Sequence, residues 1–190
     1  MNSKRILISS EPVAHPLPRG SRAGKRILLV DDDFTVRGSL NDVLAGEGYA
    51  VIPAENGQQA LDLAARLPVD LALLDLNMPV KNGWDTFEQL TREHPSIPII
   101  IATARPNQLF TALSAGVDAL LEKPLDIPTL LRTMENLLAE SAEEHLARLA
   151  GKNCEFTFIV GNGEHRSLPG KQAGHTTKNK SLRKRLNETL

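Results

Sequence analysis

Five short runs in this chain are apolar at nearly every position, and stretches with apolar residues at helical spacing alternate with them. The runs are Ile27-Leu28-Leu29-Val30, Tyr49-Ala50-Val51-Ile52, Leu71-Ala72-Leu73-Leu74, Pro98-Ile99-Ile100-Ile101-Ala102 and Ala119-Leu120-Leu121. Between and after them come Val36, Leu40, Val43 and Leu44, then Ala60, Leu61, Ala64 and Leu67, then Phe87 and Leu90. A short helix is expected near Gln108 to Ala115, and a last one carries Leu130, Leu131, Met134, Leu137 and Leu138. A strand with no polar face must be covered on both sides, which is the condition of a parallel sheet between helices. The expected order is therefore βαβαβαβαβα, within about 115 residues, as one α/β layer structure. Right-handed crossovers then gather every strand's carboxyl end at one edge of the sheet.

What stands at those ends is chemically unusual. The first run stops at Asp31-Asp32-Asp33, the third at Asp75, the fourth at Thr103 and the fifth just before Lys123-Pro124. Asp75 is followed by Asn77, Pro79 and Gly83, residues that turn a chain rather than extend it. Carboxylates at one sheet edge repel each other and resist desolvation unless a cation joins them. Asp side chains, a backbone carbonyl and water make a hard oxygen set suited to Mg²⁺. With a hydroxyl and an ammonium added, the set fits a transferring phosphoryl group, attacked by a carboxylate and neutralised by metal and lysine. Asp33 reads as a helix cap, where negative charge suits the helix dipole.

These motifs, in this order, resemble the receiver domain of bacterial two-component response regulators, the CheY-like superfamily. The resemblance covers about residues 25–145 through Ile27 to Asp33, Asp75-Leu76-Asn77-Met78-Pro79 with Gly83, Ala102-Thr103-Ala104, and Glu122-Lys123-Pro124. It implies a flavodoxin-like, doubly wound, five-stranded parallel sheet of order 2-1-3-4-5 with helices on both faces. It implies Asp75 as the phosphoacceptor, Thr103 as the switch hydroxyl and Lys123 as the lysine that contacts the phosphoryl group. It implies Asp31, Asp32, Asp75 and the backbone carbonyl of Asn77 as ligands of Mg²⁺, and a cis bond before Pro124. The implied partner is a histidine kinase or phosphotransfer protein, with output through protein–protein contact to an unknown target.

The chain also departs from the family's pattern. Leu120 stands three residues before the lysine, where an aromatic is frequent, and Leu125 stands where Phe often follows Lys-Pro. The interval from Thr103 to Lys123 is two residues shorter than usual. A non-phosphorylated docking module is one alternative reading. Another takes Asp31-x-Asp33-x-Thr35 as the nucleophile motif of haloacid-dehalogenase-type phosphohydrolases, with Asp31 as nucleophile.

The ends differ from the middle in charge. Residues 1–26 hold six basic and one acidic side chain, residues 27–151 hold 8 and 19, and residues 152–190 hold 8 and 3. Residues 1–24, rich in Pro and Gly, are expected to be a disordered basic leader. Residues 146–190 are expected to be a helix extension and a basic, largely disordered tail. The last helix is expected to run on to about Ala150, offering a surface for a homodimer or a partner helix. Glu155 to Val160 reads as a strand, Gly161-Asn162-Gly163 as a tight turn, and Glu164 to Leu168 as a poor strand. DNA binding is not expected, because no second helix follows a short turn as a helix-turn-helix requires. Membrane insertion is not expected either, since no apolar run approaches the roughly 20 residues of a span. One cysteine, Cys154, excludes an internal disulfide, and the location expected is cytoplasmic.

Overall fold

A computed structural model describes residues 22–78, 83–104, 112, 115–149, 155–159 and 165–169. Its strands are β1 (Arg26–Val30), β2 (Ala50–Ala54), β3 (Leu71–Asp75), β4 (Ile99–Thr103), β5 (Ala119–Glu122), β6 (Glu155–Ile159) and β7 (His165–Pro169). Its helices are α1 (Phe34–Gly46), α2 (Gly57–Arg66), α3 (Gly83–Glu93), α4 (Ile127–Ala139) and α5 (Ala142–Leu149). The sheet order is β2-β1-β3-β4-β5-β6-β7. Its first five strands are parallel in the order 2-1-3-4-5, as expected.

Strand alternation distributes the apolar runs between two cores. Leu28, Val30, Ala72, Leu74, Ile99, Ile101 and Leu120 face one way, onto Ala60, Leu61 and Ala64 of α2 and Phe87 and Leu90 of α3. Ile27, Leu29, Leu71, Leu73, Ile100, Ala119 and Leu121 face the other way, onto Leu40 and Leu44 of α1 and Leu130, Met134 and Leu137 of α4. Twelve large aliphatic side chains are less than 2 % exposed, so a chain poor in aromatics still fills both layers. At about 1.5–3 kcal/mol per fully buried side chain, this burial dominates the stabilisation.

Helix starts follow local chemistry. Asp33 caps α1 by accepting from the N–H groups of Thr35 and Val36, and Asn56 caps α2 by accepting from Gln59. Asp126 caps α4, whose first turn contains Pro128. After α1 the chain turns at Gly48 with φ of 95°, a left-handed conformation that a side chain resists. Arg22, buried at the end of the basic leader, is ion-paired with Glu47 and Glu135 and ties that end to α1 and α4.

Three expectations for the C-terminal part are corrected. The last helix does not run on: it stops at Ala139 and α5 begins anew at Ala142. Ser141 causes the restart, because its hydroxyl accepts from the Glu144 N–H while the Glu144 carboxylate accepts from the Ser141 N–H, a reciprocal capping box. The sheet also continues past the five strands. β6 pairs parallel to β5, and the arm read as a poor strand is β7, paired antiparallel to β6 from Ile159↔His165 to Glu155↔Pro169. Pairing to a neighbouring strand supplied what the local sequence lacked. Most of the helix expected near Gln108 to Ala115, and the turn at Gly161 to Gly163, lie outside the described residues.

Candidate functional site

Parallel strands bring Asp31, Asp75, Thr103 and Lys123 to one edge because register fixes their level. Val30 pairs with Leu74, Asp75 with Ala102, and Thr103 with Glu122, so each functional residue ends or directly follows its strand. Asp31 and Asp75 are buried, at 2 % and 5 % exposure, Thr103 is fully buried, and Asp32 is exposed. Ligand-capable oxygens of Asp31, Asp32 and Asp75 all lie within 4.8 Å of one another.

One ammonium answers two of these carboxylates. Lys123 Nζ donates to Asp75 Oδ2 at 2.7 Å and to Asp31 Oδ2 at 2.8 Å. Burial alone would lower the Lys123 pKa. Its hydrogen bonds and charge contacts with Asp31 and Asp75 outweigh that and hold the pKa above the ordinary lysine value. The Lys123 backbone N–H donates to the Thr103 carbonyl at 2.8 Å, and the Lys123–Pro124 bond is cis, as expected.

The remaining carboxylate oxygens order the loops around them. Asp31 Oδ1 accepts from the Asp33 N–H at 3.0 Å, and Asp75 Oδ1 accepts from the Asn77 N–H at 3.0 Å. The Asn77 side-chain oxygen is buried without a hydrogen-bond partner among the described residues. Asp33 is spent on its cap, and donation from the Val36 and Thr35 N–H groups lowers its pKa. Its oxygens are not in the acidic cluster, in keeping with the reading of Asp33 as a cap. The donor set fits a hard divalent cation: carboxylates from two strand ends, with the Asn77 peptide next to them.

Gly83 packs on the acceptor strand itself. A Cβ there would lie 2.4 Å from Leu76 Cα and 2.6 Å from the Asp75 carbonyl oxygen, both backbone atoms that cannot swing aside. Only glycine lets α3 start this close to Asp75. Trp84 then packs edge-on against Phe87, with ring centroids 5.8 Å apart.

Two residues at the rim carried no signal in the sequence. Phe34, 80 % exposed, projects from the start of α1. Arg37 lies 5.8 Å from its ring centroid and donates from Nη1 to the Asp31 carbonyl at 2.6 Å. A Phe at the first position of an amphipathic helix reads as core, and only the fold places it outside. Leu120, where an aromatic was expected, is 1 % exposed and belongs to the core of the α2/α3 face.

A doubly wound sheet with an acid cluster, a buried hydroxyl and a bridging lysine at one edge defines an α/β signalling module rather than a conventional enzyme. The chain belongs to the response regulator receiver domain family, whose model matches residues 27–135. It is 38% identical over 135 residues to response regulator MprA of Mycolicibacterium vanbaalenii, covering 70% of this chain and 57% of that protein. It is 42% identical over 118 residues to the transcriptional regulatory protein CpxR of Escherichia coli, covering 61% of this chain and 50% of that protein. The chain thus spans about half the length of the curated relatives it matches. Among solved structures, the CheY-like receiver domain protein of Methanospirillum hungatei aligns with a TM-score of 0.58 at 30% identity, covering 66% of this chain and 99% of that one. Response regulator TrrA of Thermotoga maritima, solved with Mg²⁺ and BeF, aligns at 0.56 with 31% identity, covering 60% of this chain and 98% of that one. The phosphohydrolase alternative is set aside by this membership. Among the described residues no helix is long and apolar enough to cross a membrane.

Proposed function

We propose that this chain is a cytoplasmic phosphoacceptor: it takes a phosphoryl group from a histidine kinase or phosphotransfer protein onto Asp75 and signals through protein–protein contact. The observation that carries this reading is the shared grip of Lys123 on Asp75 and Asp31 at the edge where Thr103 is buried. In the transfer, a carboxylate oxygen of Asp75 attacks phosphorus. The P–N bond to the donor imidazole breaks, and its electron pair returns to that nitrogen. Lys123 neutralises charge on the phosphoryl oxygens, and the Thr103 hydroxyl donates to one of them. Asp31, Asp32, Asp75 and the Asn77 carbonyl would hold Mg²⁺, which supplies further charge neutralisation when bound.

The same residues give the signal its physical form. Contacts from Thr103 and Lys123 to the new oxygens exist only when Asp75 is modified, so they bias a two-state equilibrium of the surrounding loops. CpxR is named a transcriptional regulator; here the output proposed is contact with a protein.

The test is chemical. The protein is incubated with Mg²⁺ and acetyl phosphate, the acyl phosphate is reduced with borohydride, and the labelled residue is mapped. Label on Asp75, lost in Asp75→Asn and with chelator, is expected. Label on Asp31 overturns the assignment, and no label with either a small donor or a phosphohistidine protein favours a docking module that never takes phosphate.

A further inference from the structure

The segment after the last receiver helix grips β5 at both ends, and β5 is the strand that delivers Lys123. At the amino end, Asp118 directly precedes β5 and is buried. Its Oδ2 accepts from the Ile99 N–H at the start of β4 at 2.6 Å, and its Oδ1 lies 3.5 Å from Nδ1 of His145 in α5. His145 is itself buried, with Glu140 Oε2 3.8 Å from the same nitrogen. Along its outer edge, β5 is paired by β6 through Ala119↔Thr157, Leu120↔Phe158 and Leu121↔Ile159, and β7 closes the hairpin. At its carboxyl end, β5 stops at Glu122, one residue before Lys123.

From this we infer that α5, β6 and β7 form a clasp on β5 whose hold depends on the state of Asp75, and that a phosphoryl group there loosens it. The inference rests on the phosphoacceptor reading above. Lys123 now spans two carboxylates. A phosphoryl group adds oxygens beyond Asp75 and draws both the Lys123 ammonium and the Thr103 hydroxyl towards them. Lys123 is tied through its backbone to Thr103 of β4, so β5 follows β4 as the lysine moves. The seam to β4 runs through four paired positions and the seam to β6 through three, so the outer seam yields first. The signal then leaves the site as an exposed strand edge, a surface that strand addition can read.

Linkage makes the inference measurable from either end: if the phosphoryl group loosens the clasp, a weakened clasp tightens binding of the phosphoryl group. Beryllofluoride with Mg²⁺ serves as the probe on the full chain, with Trp84, the only tryptophan, reporting binding by its fluorescence and hydrogen exchange reporting each strand. Saturation should slow exchange in residues 71–78 and speed it about tenfold in residues 155–159 and 165–169. In the full-length Thr157→Pro/Phe158→Pro variant, which removes two strand N–H donors, half-saturation should fall about fivefold. Slowed exchange at 71–78 with unchanged hairpin exchange overturns the clasp alone. An unchanged half-saturation in the folded variant does so too. No response at either place overturns the phosphoacceptor reading and the clasp with it. The wild-type exchange experiment stands if the proline variant fails to fold.

Discussion

The ammonium of Lys123 sits 2.7 Å from a carboxylate oxygen of Asp75, and the same nitrogen reaches Asp31 at 2.8 Å. Two carboxylates that are nearly inaccessible to water therefore depend on one lysine, whose own side chain is 21% exposed. The site's reactivity and its stability are the same electrostatic problem. Anything that alters the charge on Asp75 alters what Lys123 holds.

Replacing Lys123 with Met leaves both carboxylates without that cation. Breaking a buried pair from one side costs about 3–5 kcal/mol, and partial exposure of Lys123 reduces this to about 2 kcal/mol. Urea unfolding in chelator should show that loss, and millimolar Mg²⁺ should restore part of it. In the wild type, the raised Lys123 pKa means that its contribution is full below the ordinary lysine value and is lost as pH rises through the raised one. Stability should therefore fall on the alkaline side of about pH 10.5, and this component of the fall should vanish in Lys123→Met.

Gly83→Ala tests the contact between α3 and the acceptor strand. The added methyl meets backbone of Leu76 and Asp75, so relief requires the helix to move. The expected cost is about 1–3 kcal/mol, typical of overpacking. Labelling of Asp75 by acetyl phosphate should slow at least about tenfold, since small misplacements of reacting groups are expensive. A normal labelling rate in the folded variant would contradict the close approach.

Phe34→Ala separates docking from chemistry. The ring is exposed beside the acid cluster and held by Arg37, so its loss should change stability by no more than about 0.5 kcal/mol. Labelling by acetyl phosphate should be unchanged. Transfer from a phosphohistidine protein should slow about tenfold, because an aromatic at a binding rim commonly anchors a partner. Equal slowing with both donors would place Phe34 in the chemistry instead.

Asp33→Ala distinguishes a cap from a metal ligand. The Asp33 pKa is lowered by donation from the Val36 and Thr35 N–H groups, so its contribution is present above the ordinary carboxylate value and lost as pH falls through the lowered one. The variant should be less stable than wild type at neutral pH, and the difference should close towards pH 3. Its Mg²⁺ requirement in Asp75 labelling should be that of wild type. Asp32→Ala, by contrast, should need more Mg²⁺ for the same rate.

Much of the molecule was legible in its residues because the governing physics is local or periodic. Runs apolar on both faces, such as Ile99 to Ala102, specify a covered parallel sheet wherever they occur, and that determines the strand-end edge. Asp33, Asn56 and Asp126 announce helix starts within three residues of themselves. Ser141 and Glu144 carry the same kind of signal. It was overridden by the apolar stripe that continues past Ala139, so one helix was expected where two occur.

The sequence alone therefore determined the five-stranded order and the set of residues at the sheet edge: Asp31, Asp32, Asp75, Thr103 and Lys123. Tertiary structure decided which of them touch, with Lys123 bridging Asp31 and Asp75 across 92 and 48 residues of chain. It also decided that Phe34 faces solvent, that His145 is buried against Asp118, and that β6 and β7 complete the sheet. Contacts between residues far apart in sequence leave no periodic trace, and a weak strand such as His165 to Pro169 forms only because a neighbour supplies the other half of its hydrogen bonds.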